Sequence, residues 1–569
     1  GHRNTGDIGG VPSFPDVASL PEAPDLALIA VPPPDVADAA ETCGERGVRG
    51  LVVVTAGLDD KQSADLLGSC RRHGMRLIGP NCFGIAVPAT GLNATFAADR
   101  PRPGIAGLVT QSGGLGFSMI DHLSRLGIGI SSFASVGDKL DVSSNDLLMW
   151  WERDGLTQVA VLYIESFGNP RKFARTARRA GRRMPVLTVQ AGRGASSAAL
   201  FEQAGIVATP SFGELVEATA LLATQRPPEG RTVAIVANVD GAGRLAADAC
   251  ATRGLAVHQP GEAARDRLRA LLPPGAVTDG PVDTTAPVSG ETFRQVLEAL
   301  AADEEVHAII AIVLPTAATG DLETAIADAD VAVPLAAVAL NQPEAVRLLA
   351  ARSGRVPAYG YPEAAVAALA RAARYGEWRD TPPGTVPAFP DADIEGARAD
   401  IRNSLTNSPN GGWLLPRQIA SVLRGYGITL TENAAVPGTE VFVSVDDDET
   451  FGPLVTFGAS GAAEVLDDHV TRLAPLTPAD ADTMIGSLRS APLLRGYRGA
   501  AAADLTALRD LLLRVSRLAD DLPEITELRL RPVLATPDGA IVAGARARVA
   551  PQAPQDPSLR RLRLLYVVT

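Results

Sequence analysis

The chain has few lysines, few aromatic residues and few cysteines. Only Lys61, Lys139 and Lys172 are lysines, so the other 49 of the 52 basic residues are arginines, and no lysine follows residue 172. Aromatic side chains make up 4% of the 569 residues. Alanine, glycine and proline are abundant, which is typical of α/β layers packed with small side chains.

The sequence also lacks the patterns of a metal site built from cysteines, a membrane span and a signal peptide. The four cysteines form no CxxC pair and no metal-like cluster, so we expect reduced thiols, a cytoplasmic location and no metal site built from them. No uninterrupted apolar run reaches the roughly 18–20 residues of a membrane span, and residue 1 does not begin a signal peptide. We therefore predict no membrane partner.

The charge balance excludes one class of partner. The formal net charge is -13 and the pI is near 5.1. Nucleic-acid binding needs a clustered basic surface. We therefore expect no nucleic acid as the main partner.

The apolar residues predict a repeated strand–helix architecture. Continuous, β-branched runs alternate with helical stretches such as 113–126, 214–224 and 242–253. Runs of this kind belong to parallel sheets that are buried on both faces. The fold class is therefore α/β, in doubly wound form. The predicted strands include 26–32, 51–57, 76–81, 107–114, 159–166, 185–192, 232–241, 308–315 and 334–340.

Two polar stretches follow predicted strands and are candidates for chemistry. In 107–116, a strand ends and Ser112, Gly113 and Gly114 open a helix, whose N-terminal N–H groups favour an anion. A plain strand-to-helix turn is the alternative. Glu165 stands at the carboxyl end of another strand, where parallel sheets place their active sites. Functional and structural roles are both open for this glutamate.

A series of motifs, in the same order along the chain, resembles the NDP-forming acyl-CoA synthetases, relatives of succinyl-CoA synthetase. The resemblance covers nearly the whole chain, and the motifs are specific only jointly. They are "LIAVPPP" (28–34), "VVVTAGL" (52–58), "RLIGPNCFGI" (76–85), "TQSGGLG" (110–116), "SVGDKLDVSSNDLL" (135–148), "YIES" (163–166), "GPVD" (280–283), "FGPLVTFG" (451–458), "RLAPLT" (472–477), "PLLRGYRG" (492–499) and "ELRLRPV" (527–533).

The resemblance implies a domain organisation. A CoA-binding Rossmann-like domain without its start is expected at 1–103, and flavodoxin-like ligase domains at 104–226 and 227–375. A linker (376–413), a partial ATP-grasp domain of α+β type (414–552) and a C-terminal tail (553–569) follow. In such enzymes acyl-CoA and phosphate react at a histidine, which then phosphorylates ADP.

The resemblance also implies site residues and cofactors. CoA or acetyl-CoA is the expected cofactor, with ATP/ADP and Mg²⁺ added only if the ligase is active. Glu165 would orient the histidine, and no metal ligand is assigned. The expected binding residues are, for CoA, Val31, Pro32, Pro33, Thr55, Ala56, Gly57, Pro80 and Asn81, and, for phosphate, Ser112, Gly113 and Gly114.

Three departures from the family pattern fall at loops or at a mobile subdomain. The histidine loop expected near Ser196 and Ser197 is absent, and no histidine lies between His122 and His258. The CoA domain lacks its opening strand and Gly-rich turn. About 70 residues, with the lysines that grip ATP phosphates, are missing before "TEVFVSV". Because the sequence resumes in register after each seam, we interpret them as segments left out of this sequence.

The fourth departure has intact flanks. Arg529 and Arg531 in "ELRLRPV" stand where the family has an acidic residue and an asparagine that bind Mg²⁺. A guanidinium cannot ligate Mg²⁺, which needs oxygen donors. The resemblance implies a role for Glu464, but one carboxylate is a poor Mg²⁺ site. We therefore predict that this pair prevents MgATP binding.

Three functions remain open. The favoured one is an acyl-CoA-binding, degenerate synthetase region that senses acetyl-CoA for a GNAT protein lysine acetyltransferase, with protein lysines as further substrates if a GNAT domain is present. The first alternative is an active ADP-forming acyl-CoA ligase, and the second is a subunit that completes a ligase in trans. All three bind acyl-CoA, and a homo-oligomer is expected for each.

Overall fold

The computed structural model describes residues 10–551, apart from 168, 190–193, 318, 353, 432–435 and 462–465. The chain divides into two compact units. The first contains residues 1–168, 176–191 and 205–379, and the second contains 169–175, 192–204 and 380–569. Residues 192–204 therefore belong to the second unit although both neighbouring segments belong to the first.

The first sheet of unit 1 is parallel, with strand order β1-β2-β3. Its strands are β1 (Leu26–Ile29), β2 (Gly50–Val53) and β3 (Arg76–Ile78). The connecting helices are α1 (Val36–Glu45) and α2 (Asp60–His73). Asp59 caps α2, because its side chain accepts the Gln62 N–H while the Gln62 side chain accepts the Asp59 N–H. All three strands therefore end at one edge, and the loops that follow them meet there.

The second sheet has seven strands in the order β10-β9-β8-β6-β7-β4-β5. Strands β6 to β10 are parallel, and β4 and β5 form an antiparallel edge. Its strands are β4 (Gly84–Val87), β5 (Leu92–Thr95), β6 (Pro103–Thr110), β7 (Ile130–Ser135), β8 (Val159–Tyr163), β9 (Val186–Val189) and β10 (Val207–Thr209). Helices α3 (Gly113–Arg125), α4 (Ser144–Trp151), α5 (Pro170–Gly181), α6 (Ala195–Ala204) and α7 (Phe212–Leu222) follow these strands along the chain. Residues 84–95, which the sequence analysis assigns to the first domain, thus pair within this sheet.

The third sheet completes unit 1 with the order β12-β11-β14-β15-β17-β16, while β13 pairs with β11. All pairs are parallel except β16 with β17. The strands are β11 (Thr232–Ala237), β12 (Ala256–Val257), β13 (Val282–Asp283), β14 (Ala308–Val313), β15 (Leu335–Ala339), β16 (Val346–Ala351) and β17 (Gly354–Tyr359). The helices are α8 (Asp240–Arg253), α9 (Glu262–Leu271), α10 (Gly290–Ala301), α11 (Leu322–Asp328) and α12 (Pro362–Asp380). Every residue of β14 is buried, as expected for a strand covered on both faces.

Unit 2 contains an antiparallel sheet with the order β18-β24-β22-β19-β20-β21, and β23 pairs with β22. The strands are β18 (Gly412–Trp413), β19 (Thr439–Asp448), β20 (Gly452–Ala459), β21 (His469–Leu473), β22 (Ile525–Thr536), β23 (Gly539–Val542) and β24 (Ala545–Val549). The helices are α13 (Ile394–Asn407), α14 (Pro416–Gly425), α15 (Pro478–Ser487), α16 (Ala491–Leu494) and α17 (Leu505–Asp521). Alternate residues of the long strands, such as Val443, Phe457 and Leu530, are buried in one core with these helices. The other face of the sheet carries the polar residues.

The predicted fold class, an α/β chain with an α+β C-terminal part, is confirmed. The predicted linker at 376–413 is partly helical, because α12 continues to Asp380 and α13 begins at Ile394. Val366, Leu369 and Tyr375 of α12 are buried, so tertiary packing extends this helix past the point where composition predicts a connector. Among the described helices, none combines the length and the apolarity that crossing a membrane requires.

Candidate functional site

The loops after the three parallel strands of the first sheet are joined by hydrogen bonds. The Thr55 hydroxyl donates to the carbonyl oxygen of Val31 over 2.7 Å. The Asn81 N–H donates to the carbonyl oxygen of Thr55 over 2.9 Å. Three residues predicted to bind CoA, one from each loop, are therefore brought to one edge of the sheet.

The same edge presents backbone that is open to a ligand. Pro32, Ala56 and Gly57 are exposed, whereas Pro33 is half-buried and Pro80 is buried. Gly57 has φ +79°, and a Cβ built on it would meet no atom within 4 Å. Since a side chain is disfavoured at that φ, the loop keeps an accessible main chain there.

Asn81 connects this edge to the second sheet. Its side-chain amide donates to the Asp138 carboxylate over 3.2 Å, and the Asp138 N–H donates to the Pro80 carbonyl oxygen over 3.0 Å. Asp138 lies in the loop after β7. Hydrogen bonds therefore connect the residues predicted to bind CoA with the loops at the carboxyl edge of the second sheet.

Gln111 brings the predicted phosphate-binding turn and Glu165 together. The Gln111 side-chain oxygen accepts the N–H groups of Glu165 and Ser166 over 2.5 and 2.9 Å. The Gln111 N–H donates to the carbonyl oxygen of Tyr163 over 3.0 Å. Glu165 is exposed, and its carboxylate has no hydrogen-bond partner within the described part of the chain. The carboxylate is therefore available to a ligand or to a mobile group.

The start of α3 leaves donors available. Ser112 has an extended backbone at the N-cap position, but its side chain caps no N–H group. The first N–H groups of the helix therefore have no side-chain partner from Ser112. They can donate hydrogen bonds to an anion. A Cβ at Gly114 would meet nothing within 4 Å, so the ligand side of the turn is open there.

Gly113 has a packing role, and its phosphate-binding role stays a prediction. A Cβ at this position would lie 1.9 Å from the ring of Phe83. Phe83 comes two residues after Asn81 and also packs edge-on against Phe117, with ring centroids 5.3 Å apart. In this structure Gly113 is thus required for packing between the two loops, whereas Gly114 provides the open backbone.

A buried thiol lies beneath the loops that are predicted to bind CoA. The Cys82 thiol lies 3.2 Å from the carbonyl oxygen of Val53, and the residue is 2% exposed. Burial raises the pKa of Cys82 to about 11. The thiol is therefore protonated at neutral pH and fills space under the site.

In unit 2, the polar face of the antiparallel sheet carries a cavity of about 360 Å³. It lies over strands β22, β19 and β20 and the edge strand β21, and most of the side chains that line it alternate with the buried ones. It is lined by Phe442, Val443, Ser444, Asp446, Thr456, His469, Arg529, Leu530 and Arg531.

Both arginines predicted to exclude Mg²⁺ line this cavity. Arg529 Nη2 lies 2.6 Å from Asp446 Oδ1 and 3.4 Å from Glu527 Oε1. The Arg531 guanidinium lies 6.0 Å from the centre of the Phe442 ring. A cation thus already occupies the space between the two carboxylates, and these residues do not fit a bound Mg²⁺. Glu464 lies outside the described residues.

Sequence reasoning missed Asp446 and Glu527. The signal was their alternation with buried residues: Asp446 follows Ser444 by two residues on β19, and Glu527 precedes Arg529 by two on β22. Side chains two residues apart share a face of a strand. The register that places Ser444 opposite Arg529 and Asp446 opposite Glu527 could not be read from the sequence.

The region where the family's histidine loop is expected ends in α6, which docks on β21 within unit 2. The Ser196 hydroxyl donates to Asp448 Oδ2 over 3.1 Å. The Gln203 side chain donates to the carbonyl oxygen of Leu473 and accepts the Leu473 N–H, both over 3.1 Å. Ala191, Gly192 and Arg193 lie outside the described residues.

One buried histidine has acidic neighbours. His258 is 3% exposed, and its Nε2 lies 3.2 Å from Asp303 Oδ2, with Glu305 close by. This ring nitrogen is buried and makes no hydrogen bond within the described part of the chain. We take the arrangement as a buried histidine–carboxylate pair of the third sheet, away from the loops described above.

Three family models match successive parts of the chain. A CoA binding domain matches residues 2–88, a succinyl-CoA ligase like flavodoxin domain matches 103–200, and an ATP-grasp domain matches 412–549.

Full-length relatives have the same order of parts. Acetate–CoA ligase [ADP-forming] I of Archaeoglobus fulgidus is 29% identical, and the match covers 95% of this chain and 92% of the relative. The alpha subunit of acetate–CoA ligase [ADP-forming] II of Pyrococcus furiosus is 32% identical, over 54% of this chain and 73% of that subunit. The chain belongs to the NDP-forming acyl-CoA synthetase family. The predicted family is thus confirmed.

A solved structure agrees with this membership. The acetyl-coenzyme A synthetase 1 of Candidatus Korarchaeum cryptofilum, in complex with phosphate and ADP, is 29% identical and has a TM-score of 0.60. The match covers 66% of this chain and 87% of that chain. This structure is named as a synthetase and the relatives are named as ligases, and together they support an acyl-CoA synthetase-like protein.

The relatives bear on two of the earlier interpretations. They favour the alternative, an ADP-forming acyl-CoA ligase, over the acetyltransferase-linked sensor, for which they provide no support. The Archaeoglobus alignment spans 643 positions whereas this chain has 569 residues, so at least 74 positions of the alignment have no counterpart here.

Proposed function

We propose that unit 1 binds acyl-CoA in the manner of an ADP-forming acyl-CoA synthetase. The observation that carries this proposal is the hydrogen-bonded junction of the three loops at Val31, Thr55 and Asn81. The exposed main chain at Gly57 gives a phosphate-bearing chain a place to lie against the protein. The uncapped start of α3 provides N–H donors for an anion, and the preceding residue, Gln111, is hydrogen-bonded to the main chain of Glu165.

The test is the affinity for acetyl-CoA of two matched threonine variants. Thr55→Val removes the hydrogen bond that joins the first two loops, so we expect calorimetry to show acetyl-CoA binding weakened about tenfold. Thr42→Val removes a similar hydrogen bond, from Thr42 to the Asp38 carbonyl oxygen within α1, away from the loops. Its affinity should equal that of the unmodified protein.

Two outcomes would overturn the proposal. If neither CoA nor acetyl-CoA binds the unmodified protein, the proposed function fails. If acetyl-CoA binds but Thr55→Val and Thr42→Val behave alike, then the ligand lies elsewhere. A melting temperature measured for each variant separates a lost contact from a lost fold.

Complete ADP-forming ligation is a second candidate, favoured by the extent of the match to the Archaeoglobus ligase. It requires a phosphoryl carrier, and the chain has no histidine between His122 and His258. It also requires a nucleotide site, where Arg529 stands between Asp446 and Glu527. ATP formation from acetyl-CoA, phosphate, ADP and Mg²⁺ would establish this candidate, and our account predicts none from this chain alone.

A further inference from the structure

The third sheet of unit 1 contains a histidine with a buried ring nitrogen that no hydrogen bond satisfies. His258 follows β12 directly, and its side chain is 2% exposed. Its Nε2 atom is buried and makes no hydrogen bond to the residues that the structure describes. A buried polar atom without a partner costs free energy, so this nitrogen calls for a partner of another kind, such as an ion.

Two carboxylates from the loop between α10 and β14 lie beside this nitrogen. Asp303 Oδ2 is 3.2 Å from His258 Nε2, and with a Glu305 carboxylate oxygen they form a group of three atoms within 4.8 Å of one another. Asp303 Oδ1 accepts the Glu305 N–H over 3.0 Å, which leaves Oδ2 for the histidine. His258 is buried and Glu305 is exposed, so the group has a closed side and a side open to solvent.

The main chain of β11 fixes both sides of the group. The His258 N–H donates to the carbonyl oxygen of Val233 over 2.9 Å. On the other side, the N–H of His307, two residues after Glu305, donates to the carbonyl oxygen of Thr232 over 2.9 Å. The imidazole and the acidic loop are therefore held against each other by the sheet itself.

A second histidine–carboxylate pair of unit 1 shows what this group lacks. His73 Nε2 and Glu41 Oε1 form a hydrogen bond of 2.9 Å, and Arg72 lies 2.6 Å from the other oxygen of Glu41. Within the described ranges, neither Asp303 nor Glu305 pairs with an arginine or a lysine. Two carboxylates thus face one imidazole, and the group keeps a net negative charge whether the ring is neutral or protonated. Such a group attracts a cation.

The spacing of the group fits metal ligation. In a tetrahedral Zn²⁺ site, bonds of about 2.0–2.2 Å place neighbouring ligand atoms about 3.2–3.6 Å apart. His258 Nε2 and Asp303 Oδ2 already have this separation. The exposed side chain of Glu305 can approach them by rotation about its own bonds. One imidazole and two carboxylates suit Zn²⁺ and similar ions, whereas Mg²⁺ selects oxygen ligands alone.

We infer that His258, Asp303 and Glu305 form a binding site for a divalent transition-metal ion of the Zn²⁺ type. The ion satisfies the buried nitrogen and links β12 to the loop between α10 and β14. Water takes the position that faces solvent. Because the ligands come together only in the folded chain, metal binding stabilises the third sheet. The inference does not depend on acyl-CoA binding.

The first test is a titration of the full chain with Zn²⁺ after dialysis against EDTA. We expect calorimetry to show about one tightly bound Zn²⁺ per chain, with a melting temperature that rises as Zn²⁺ is added. If no Zn²⁺ binds, or if it binds without raising the melting temperature, the inference is wrong.

Two neighbouring glutamates provide the matched comparison. Glu305→Gln removes a ligand at an exposed position, where the fold tolerates the change, and should weaken Zn²⁺ binding about tenfold or more. Glu304→Gln removes the same charge from an exposed side chain outside the group and should change the affinity less than about threefold. Equal effects of the two variants would mean that only the general negative charge of the loop attracts Zn²⁺, and would contradict the site.

The position of the ion gives the most direct test. Anomalous diffraction at the zinc absorption edge, on crystals grown with Zn²⁺, should show a peak bonded to His258 Nε2 and Asp303 Oδ2. Asp303→Asn keeps the shape of the side chain and should remove this peak together with the Zn²⁺-dependent rise in melting temperature. Zinc bound only at other histidines or at cysteines would overturn the inference.

Discussion

At the scale of single residues, burial determines the chemistry of the cysteines. Cys43, Cys70, Cys82 and Cys250 are free and buried. Burial raises the pKa of Cys70, Cys82 and Cys250 to about 11, against about 8.5 for an exposed thiol. The raised pKa keeps the thiols of Cys70, Cys82 and Cys250 protonated in the folded protein until the pH approaches 11. In the unfolded chain the same thiols ionise near pH 8.5.

The reactivity of Cys82 therefore reports on the loops above it. At pH 8 only about one in a thousand Cys82 thiols is ionised, so labelling by a thiol reagent should be slow and should accelerate as the pH rises towards 11. Acetyl-CoA should slow the labelling of Cys82 further, because it holds the loops closed. Cys250 is buried in helix α8, beside the third sheet, and serves as the control. Acetyl-CoA should not change the rate at which Cys250 is labelled. Protection of both cysteines alike would mean that acetyl-CoA stabilises the unit as a whole and does not act at these loops.

The sequence indicated some residues of the site and could not indicate others. Thr55 and Asn81 were predicted through motifs that resemble a family, and the structure brings them together. Asp446 and Glu527 were not predicted, since their meeting depends on the register between β19 and β22, which are about 80 residues apart in the chain. Long-range register is set by packing of the whole sheet, and no local pattern of residues encodes it.

At the scale of elements, the start of α3 combines two glycines with different functions. Gly113 gives space to the ring of Phe83, while Gly114 faces open space. The local sequence "QSGG" predicted the turn, but not which glycine packs and which stays open. That difference depends on Phe83, which the chain places some 30 residues earlier.

Substituting the two glycines separately should separate stability from binding. Gly113→Ala forces a methyl group into the Phe83 ring and should lower the free energy of unfolding by about 1–3 kcal/mol. Gly114→Ala should leave the stability unchanged within about 0.5 kcal/mol, but it places a methyl group where an anion would lie and should weaken acetyl-CoA binding. Chemical denaturation and calorimetry on both variants check this. Equal losses of stability would contradict the packing role of Gly113, and unchanged binding by Gly114→Ala would exclude an anion at this turn.

The docking of α6 on β21 is a further property of the elements. Gln203 makes both of its hydrogen bonds to the main chain of Leu473, and Glu202 lies 2.8 Å from Arg472. The sequence predicted a helix near this position without indicating its partner. The partner strand lies about 270 residues later, so the pairing could be found only from the folded structure.

Replacing Gln203 tests this docking. Gln203→Ala should destabilise unit 2 by about 1–2 kcal/mol, because it leaves the Leu473 N–H and carbonyl without their partners. Glu202→Gln, one residue earlier, keeps an oxygen acceptor for the buried Arg472 side chain and should cost less than about 1 kcal/mol. Native-state hydrogen exchange at Leu473 is the measurement. Unchanged exchange in Gln203→Ala would show that the contact contributes nothing to stability.

At the scale of the whole molecule, the chain combines an N-terminal part that matches a CoA binding domain with a C-terminal unit that matches an ATP-grasp domain. Strand–helix alternation predicted the α/β class correctly, because apolar runs in parallel sheets are continuous and easy to recognise. It did not predict that β4 and β5 join the second sheet or that residues 192–204 group with unit 2. Those placements depend on contacts between distant segments.

Oligomeric state remains a prediction at this scale. We expect light scattering after size exclusion to give a multiple of the 59.0 kDa chain mass. A mass equal to one chain at all concentrations tested would contradict the expected homo-oligomer.

The most direct test of acyl-CoA binding by unit 1 is hydrogen–deuterium exchange with and without acetyl-CoA. The account predicts slower exchange at residues 30–33, 54–57, 79–81 and 111–114, where the three loops and the start of α3 meet. Residues 232–237, in the buried strand β11, serve as an internal reference and should not change. Binding of acetyl-CoA with protection confined to residues 412–549, or with no protection in the four loop segments, would contradict the account.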